Sequence, residues 1–259
     1  MNINVMLYGH LDKQPHGEGW DEGLSPTDPV IRGDFMYGRG SSDDGYAPFS
    51  CMLAVKAAQV QKMNVPRICL VLETEEESGS ASLIRLLEMA KDFTGKPDFL
   101  FCMDSGCIDY EQLWMTTSLR GVAMVDFEVK AGKTGYHSGE VGGIVPETFR
   151  IVRTLLDRLD DSSSGLVCKE LQVDTPEWKA KEAETLTLYK DMELCTKYPV
   201  VKGCKYAIHS GGIQEMYLDN VWRANLSITG MDGIPSLATA GNVVRSSTTL
   251  RLSMRLSPI

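Results

Sequence analysis

The chain has 259 residues, a formal net charge of −9, 43% hydrophobic and 24% charged residues, ordinary values for a globular protein of one large domain or two smaller ones. The acidic balance argues against nucleic acid as a partner, since no basic stripe is available to neutralise phosphates, whereas clustered carboxylates suit divalent cations. No apolar run reaches the ~18–20 residues that span a bilayer, and residues 1–8 lack the basic flank and cleavage site of a signal peptide, so a cytoplasmic protein with no membrane partner is expected.

In chain order, residues 4–8 form an apolar run of strand length that leads into His10 and Asp12. A Gly-rich turn at residues 37–40 leads into Asp43 and Asp44, and residues 47–63 place Phe49, Met52, Leu53, Val55, Ala57 and Val60 at spacings a helix can bury. Residues 68–72 are a second apolar strand, running into Glu73, Glu75, Glu76 and Glu77. A helix with Leu83, Leu86, Leu87 and Ala90 follows, then a third strand at residues 99–103 that ends at Asp104. Continuous apolar strands separated by helices predict an α/β domain whose sheet is covered on both faces.

After about residue 116 the texture changes. Residues 122–130 alternate as a half-exposed strand does, and a Gly-rich stretch at 132–143 follows. Pro146 opens a helix carrying Phe149, Val152, Leu155, Leu156 and Leu159. Residues 176–197 form a charged amphipathic helix, with the acid of residues 170–193 as solvated surface, and residues 248–256 alternate strictly. The expected organisation is therefore residues 1–116 as one domain and 117–259 as a second, α+β domain. Seven cysteines are scattered without a CxxC pair. Cys51, Cys69 and Cys102 lie in apolar stretches and are expected to be buried thiols in a reducing compartment.

Each of the first three strands ends in metal-binding chemistry. Ligand sites of open α/β sheets form outside the carboxyl ends of the strands, so parallel pairing would bring His10, the glutamates and Asp104 to one rim. Singly, each has a plain structural role: a turn, a solvated charge run, an N-cap. Together they suit zinc, which takes imidazole and carboxylate, and a carboxylate bridging two ions needs a turn that leaves both oxygens free, as Asp43 has. Asp12 stands two residues after His10, where it can orient the imidazole. Of the adjacent glutamates, one can ligate while its neighbour takes a proton from water.

The segments GHLDKQP, YGRGSSDDG, ETEEESGS, the strand ending in CMD, and YHSGEVGG follow the order and spacing of one family. The chain resembles the co-catalytic two-metal exopeptidases and amidohydrolases that include carnosine dipeptidase, aminoacylase and glutamate carboxypeptidase, in particular the cytosolic non-specific dipeptidases. The resemblance implies a phosphorylase/hydrolase-like mixed-sheet catalytic domain, present in part, with an inserted α+β lid that mediates homodimerisation. It implies two divalent cations, zinc or manganese, with His10 and Asp104 on one, Glu77 on the other and Asp43 bridging. Glu76 would be the general base and Asp12 would support His10. From the lid, His137 would polarise the scissile carbonyl across a dimer, Asn242 would contact substrate, and Arg255 would grip its free carboxylate. The substrate would be a dipeptide or, alternatively, an N-acyl amino acid.

Two departures stand out. Relatives carry lysine after the paired aspartates where this chain has Gly45. The family's last metal ligand, a histidine, is expected beyond Ile259, which would leave the second metal under-coordinated; a catalytically silent piece acting through lid-mediated association is the alternative to an active enzyme. Of the four histidines, His16 and His209 match no motif.

Overall fold

The computed structural model describes residues 3–189, 198–204, 206 and 212–258. Cys195, His209 and the end of the helix expected over residues 176–197 lie outside them. The chain divides into two compact units, Met1–Trp114 and Met115–Ile259.

The first unit runs β1 (Asn4–His10), β2 (Val30–Arg32), β3 (Phe35–Tyr37), α1 (Ala47–Val60), β4 (Arg67–Glu73), α2 (Leu83–Met89), α3 (Lys91–Thr94) and β5 (Phe99–Cys102). β1 is the middle of a three-stranded sheet, order β4-β1-β5. Both pairings are parallel, with His10 opposite Glu73 and Tyr8 opposite Cys102. Parallel strands leave the sheet at the same edge, so all three acid-bearing ends reach one rim. The ladder continues past the strands, with Leu11 N–H donating to the Glu73 carbonyl (2.8 Å) and Met103 N–H to that of Tyr8 (2.9 Å). At the opposite edge the Asn4 side-chain amide donates to the carbonyls of Thr94 and Lys96, each at 3.0 Å, and Arg67 reaches Thr94 as well.

Three burial expectations are corrected. α1 buries Ala47 and Cys51, while Phe49, Met52, Leu53 and Val60 are each more than half exposed. Helical period locates a stripe, but only the partner decides which stripe is covered, and the small residues are the ones that allow close approach to the strands. The sheet is likewise not covered on both faces among the described residues: Phe99, Leu100 and Phe101 of β5 are more than half exposed. Cys51 and Cys69 are buried free thiols, but Cys102, the last residue of β5, is exposed.

The second unit contains β6 (Gly121–Lys130), β7 (Tyr136–His137), α4 (Ser138–Val141), α5 (Thr148–Leu156), α6 (Glu177–Tyr189), α7 (Ile213–Val221), β8 (Asn225–Asp232), β9 (Val243–Val244) and β10 (Ser247–Leu256). β10 lies between β6 and β8 in an antiparallel sheet. Its alternation decides its faces: Thr248, Leu250, Leu252 and Met254 are buried, whereas Arg251 and Arg255 are exposed. α5 packs on the buried face, joining Val152, Phe149, Leu155 and Leu156 to Leu250 and Leu252. The Glu147 carboxylate caps α5, accepting the N–H groups of Phe149 and Arg150. A buried hydroxyl pair, Thr148 to Thr248 at 2.8 Å, pins helix to strand. A second cluster joins Ala183 of α6 to Tyr217 and Leu218 of α7.

Leu250 is fully buried at the centre of this core. Leu250→Ala is expected to cost about 2–5 kcal/mol through lost transfer energy and an unfilled cavity. The check is the denaturant midpoint, which should fall with the slope of the transition unchanged.

Candidate metal centre

His10 is the last residue of β1 and is fully buried. Its backbone N–H donates to Asp44 Oδ2 at 3.1 Å. Nδ1 lies 3.0 Å from the Asp12 carbonyl and 3.5 Å from the Asp12 carboxylate. A carbonyl accepts only, so Nδ1 carries a proton, and Nε2 is the nitrogen turned to the carboxylates, able to donate to them when protonated and to ligate a cation when neutral. Nε2 faces three carboxylates: Asp43 Oδ1 at 3.0 Å, Asp104 Oδ1 at 3.9 Å and Glu76 Oε2 at 4.0 Å. The ligand atoms of His10, Asp43 and Asp104 lie within 4.8 Å of one another, as do those of His10, Glu76 and Glu77. The structure thus brings together the sequence-predicted residues of the first unit.

Their support comes from groups with less obvious signals. Asp12 does more than face His10, because its carboxylate accepts the backbone N–H groups of Glu76 (3.2 Å) and Glu77 (2.9 Å). One side chain therefore ties the end of β1 to the glutamate turn, a short 3₁₀ segment at Glu76–Ser78. Asp44, given no separate role from sequence, is fully buried and anchors the turn to His10. Gly9 makes this possible: a Cβ there would meet Ala47 Cβ at 2.6 Å and Asp44 Oδ2 at 2.7 Å. Behind them the Tyr8 hydroxyl donates to buried Glu73, at 2.5 Å. The only sequence signal for Asp44 and Glu73 was acidity beside stronger candidates.

The charges oppose one another. Burial raises the pKa of Glu76, and Asp104 and Glu77 push it further; burial likewise raises Asp104, with Asp43 and Glu77 adding to the shift. Burial raises Asp44 too. For His10 burial acts downward, but the bonds to Asp12 and Asp43 and the charge of Asp104 outweigh it and the net shift is upward. The donor set fits a divalent cation: imidazole nitrogen plus carboxylates, with Glu77 Oε1 buried and lacking a hydrogen-bond partner. Glu76 and Glu77 both fall within ligating reach, so geometry alone does not divide the roles of ligand and base between them.

In the second unit, His137 ends β7 and pairs with Val243 of β9, which places it beside Asn242 on one small ribbon. His137 Nδ1 accepts the Gly139 N–H at 3.1 Å, so Nε2 holds the proton and the exposed ring can donate. The Asn242 carbonyl accepts from Ser138 N–H at 2.9 Å, and the residue is exposed. Arg255 stands on the exposed face of β10, between Val122 and Asn225. Asn225 Oδ1 in turn accepts from Arg120, whose pKa is lowered by burial and by the charge of Arg255.

A ring of carboxylates around one imidazole, at the carboxyl rim of a parallel sheet, defines a candidate centre for divalent metal. Residues 6–223 match the profile described as "Peptidase family M20/M25/M40", and the chain belongs to this family. It is 29% identical over 263 residues to human Beta-Ala-His dipeptidase, covering 98% of this chain and 50% of that protein. Among solved structures it is similar to human carnosine dipeptidase 1, at 28% identity and a TM-score of 0.72, covering 99% of this chain and 54% of that one. The dipeptidase Dug1p of Saccharomyces cerevisiae gives 27% and 0.71, with 99% and 54% covered. The chain spans about half the length of the relatives it matches. Among the described residues no helix is long and apolar enough to cross a membrane.

A carboxyl group whose folded pKa is raised withholds stability as it ionises, so its cost is absent below the unfolded pKa and grows as pH rises through the folded value. With EDTA present, Glu76→Gln is therefore expected to raise the melting temperature at pH 7.5 and change it little near pH 4. Thermal melts of both proteins across that range check this, and an equal effect at both ends would contradict mutual repulsion in the cluster.

Proposed function

We propose that the chain carries the metal-binding half-site of an exopeptidase that hydrolyses dipeptides with divalent metal, zinc or manganese, in the cytoplasm. The observation that carries this is buried His10, its Nε2 faced by Asp43, Asp104 and Glu76, in a chain of a peptidase family. His10 and Asp104 would hold one ion, Glu77 the other, and Asp43 both. Such ions lower the pKa of water and polarise a carbonyl when bound.

The chain's own residues supply the rest. Glu76, its proton affinity raised by burial and neighbouring carboxylates, takes the proton of the attacking water and returns it to the leaving amine. Asp12 holds Glu76 and Glu77 by their amides and keeps the His10 tautomer, so the ligand and base are set against one another. The second unit acts as the lid and homodimerisation domain. From it His137, supplied across the dimer to the partner's site, polarises the scissile carbonyl by a hydrogen bond from its Nε2–H, Asn242 contacts substrate, and Arg255 receives the substrate's terminal carboxylate in a bidentate pair. Similarity to a Beta-Ala-His dipeptidase and to Dug1p supports a dipeptide over an N-acyl amino acid.

The division of labour between the glutamates is testable. Glu76→Gln is expected to lower dipeptide turnover by ~10²–10⁴-fold, the usual contribution of a general base, with bound metal retained. Glu77→Gln should lose metal together with rate. Elemental analysis beside a dipeptidase assay, with N-acetyl amino acids as the competing substrate, measures both. Near-normal turnover by Glu76→Gln would remove Glu76 as the base.

A further inference from the structure

The turn that carries Asp43 is held on one side by buried Asp44, and the other side is crossed by Lys13. Asp43 itself is 57% exposed, so its 3.0 Å approach to His10 depends on how its turn is fastened. The turn closes on itself through Gly45 N–H, which donates to the Gly40 carbonyl at 2.8 Å. The Lys13 side chain lies across this closure. A Cβ at Gly40 would stand 1.9 Å from Lys13 Cδ and 2.4 Å from Cε, and one at Gly45 would stand 3.4 Å from Lys13 Nζ and 2.3 Å from the Gly40 carbonyl oxygen. Two glycines thus form a trough, and the lysine stem fills it.

Lys13 follows Asp12, which fixes the His10 ring and the amides of Glu76 and Glu77. A stem seated in the trough couples that segment to the Asp43 turn. The ammonium makes no ion pair within 4.0 Å among the described residues, so the contact is made by methylenes, as when a lysine covers apolar surface and leaves its head in water. We propose that Lys13 is a positioning residue for Asp43, strapping the Gly40–Gly45 turn against the segment that follows β1. This deepens the metallopeptidase proposal, on which it rests for the role of Asp43.

The test is calorimetric titration of the 259-residue chain with Zn²⁺, together with amide hydrogen exchange of residues 40–46 in EDTA. Lys13→Ala is expected to weaken zinc binding by roughly 10-fold, the lower end for loss of a group supporting a ligand, and to speed exchange across the turn. Lys13→Met keeps a stem of similar length without the charge, and should stay within about twofold of the parent in both measurements, where roughly tenfold would mark loss of the support. Gly40→Ala adds the strain of its φ of +78° in any background, but drives a Cβ into the stem only when Lys13 is present. Its cost should therefore be larger in the parent than in Lys13→Ala. Parent-like affinity and exchange in Lys13→Ala, loss in Lys13→Met equal to that in Lys13→Ala, or an unchanged Gly40→Ala cost would each overturn the strap. A parent chain that binds no zinc would instead remove the metal assignment, while the exchange arm would still decide the strap.

Discussion

The first unit is organised around one unfavourable arrangement, several carboxylates converging on a single buried imidazole. Like charges at this range disfavour ionisation, and burial compounds the cost. Both effects act on Glu76 and Asp104. A fold tolerates such a cluster when the groups answer a cation, and most of the neighbouring structure can be understood as holding them against their repulsion.

That hold is made largely by backbone. Parallel register brings the three strand ends to the same rim, and the ladder extends one residue past β1 and β5 to fix Leu11 and Met103. Asp12 then uses two backbone amides to set the glutamate turn, and Asp44 uses one to set the Asp43 turn. Neither carboxylate belongs to the two groupings of ligating reach. Acidic residues here divide into those that face the imidazole's open nitrogen and those spent on amides, and the second kind positions the first. Gly9 belongs to the same device, since any side chain there would occupy the space of Asp44 and Ala47.

The second unit obeys different physics. Its antiparallel sheet has one face packed under α5 and one face open, and the open face carries Arg255. Arg251 on that face pairs with Asp126 through two short bonds, whereas His137 and Asn242 sit on a separate ribbon whose turn chemistry sets the histidine tautomer. Residues proposed to meet substrate are thus presented from a strand face and a ribbon, both exposed, with the apolar core behind β10.

Local sequence determined the elements that periodicity or punctuation encodes. The apolar runs became β1, β4 and β5, the alternation of residues 248–256 became β10 with its faces as the alternation requires, and Pro146 preceded a capped α5. That three strands end in imidazole and carboxylate groups was legible too, because side-chain type and strand length are local properties. The short β2–β3 and β7–β9 ribbons, β8 and α7 were not, being too brief or too weakly periodic to rise above the loops around them. Tertiary structure alone decided which face of α1 is covered, that Cys102 is exposed, and that Asp12 and Asp44 bind amides 64 and 34 residues away in sequence. A carboxylate's partners depend on what the fold brings within hydrogen-bond reach of it, and one-dimensional pattern holds no record of that distance.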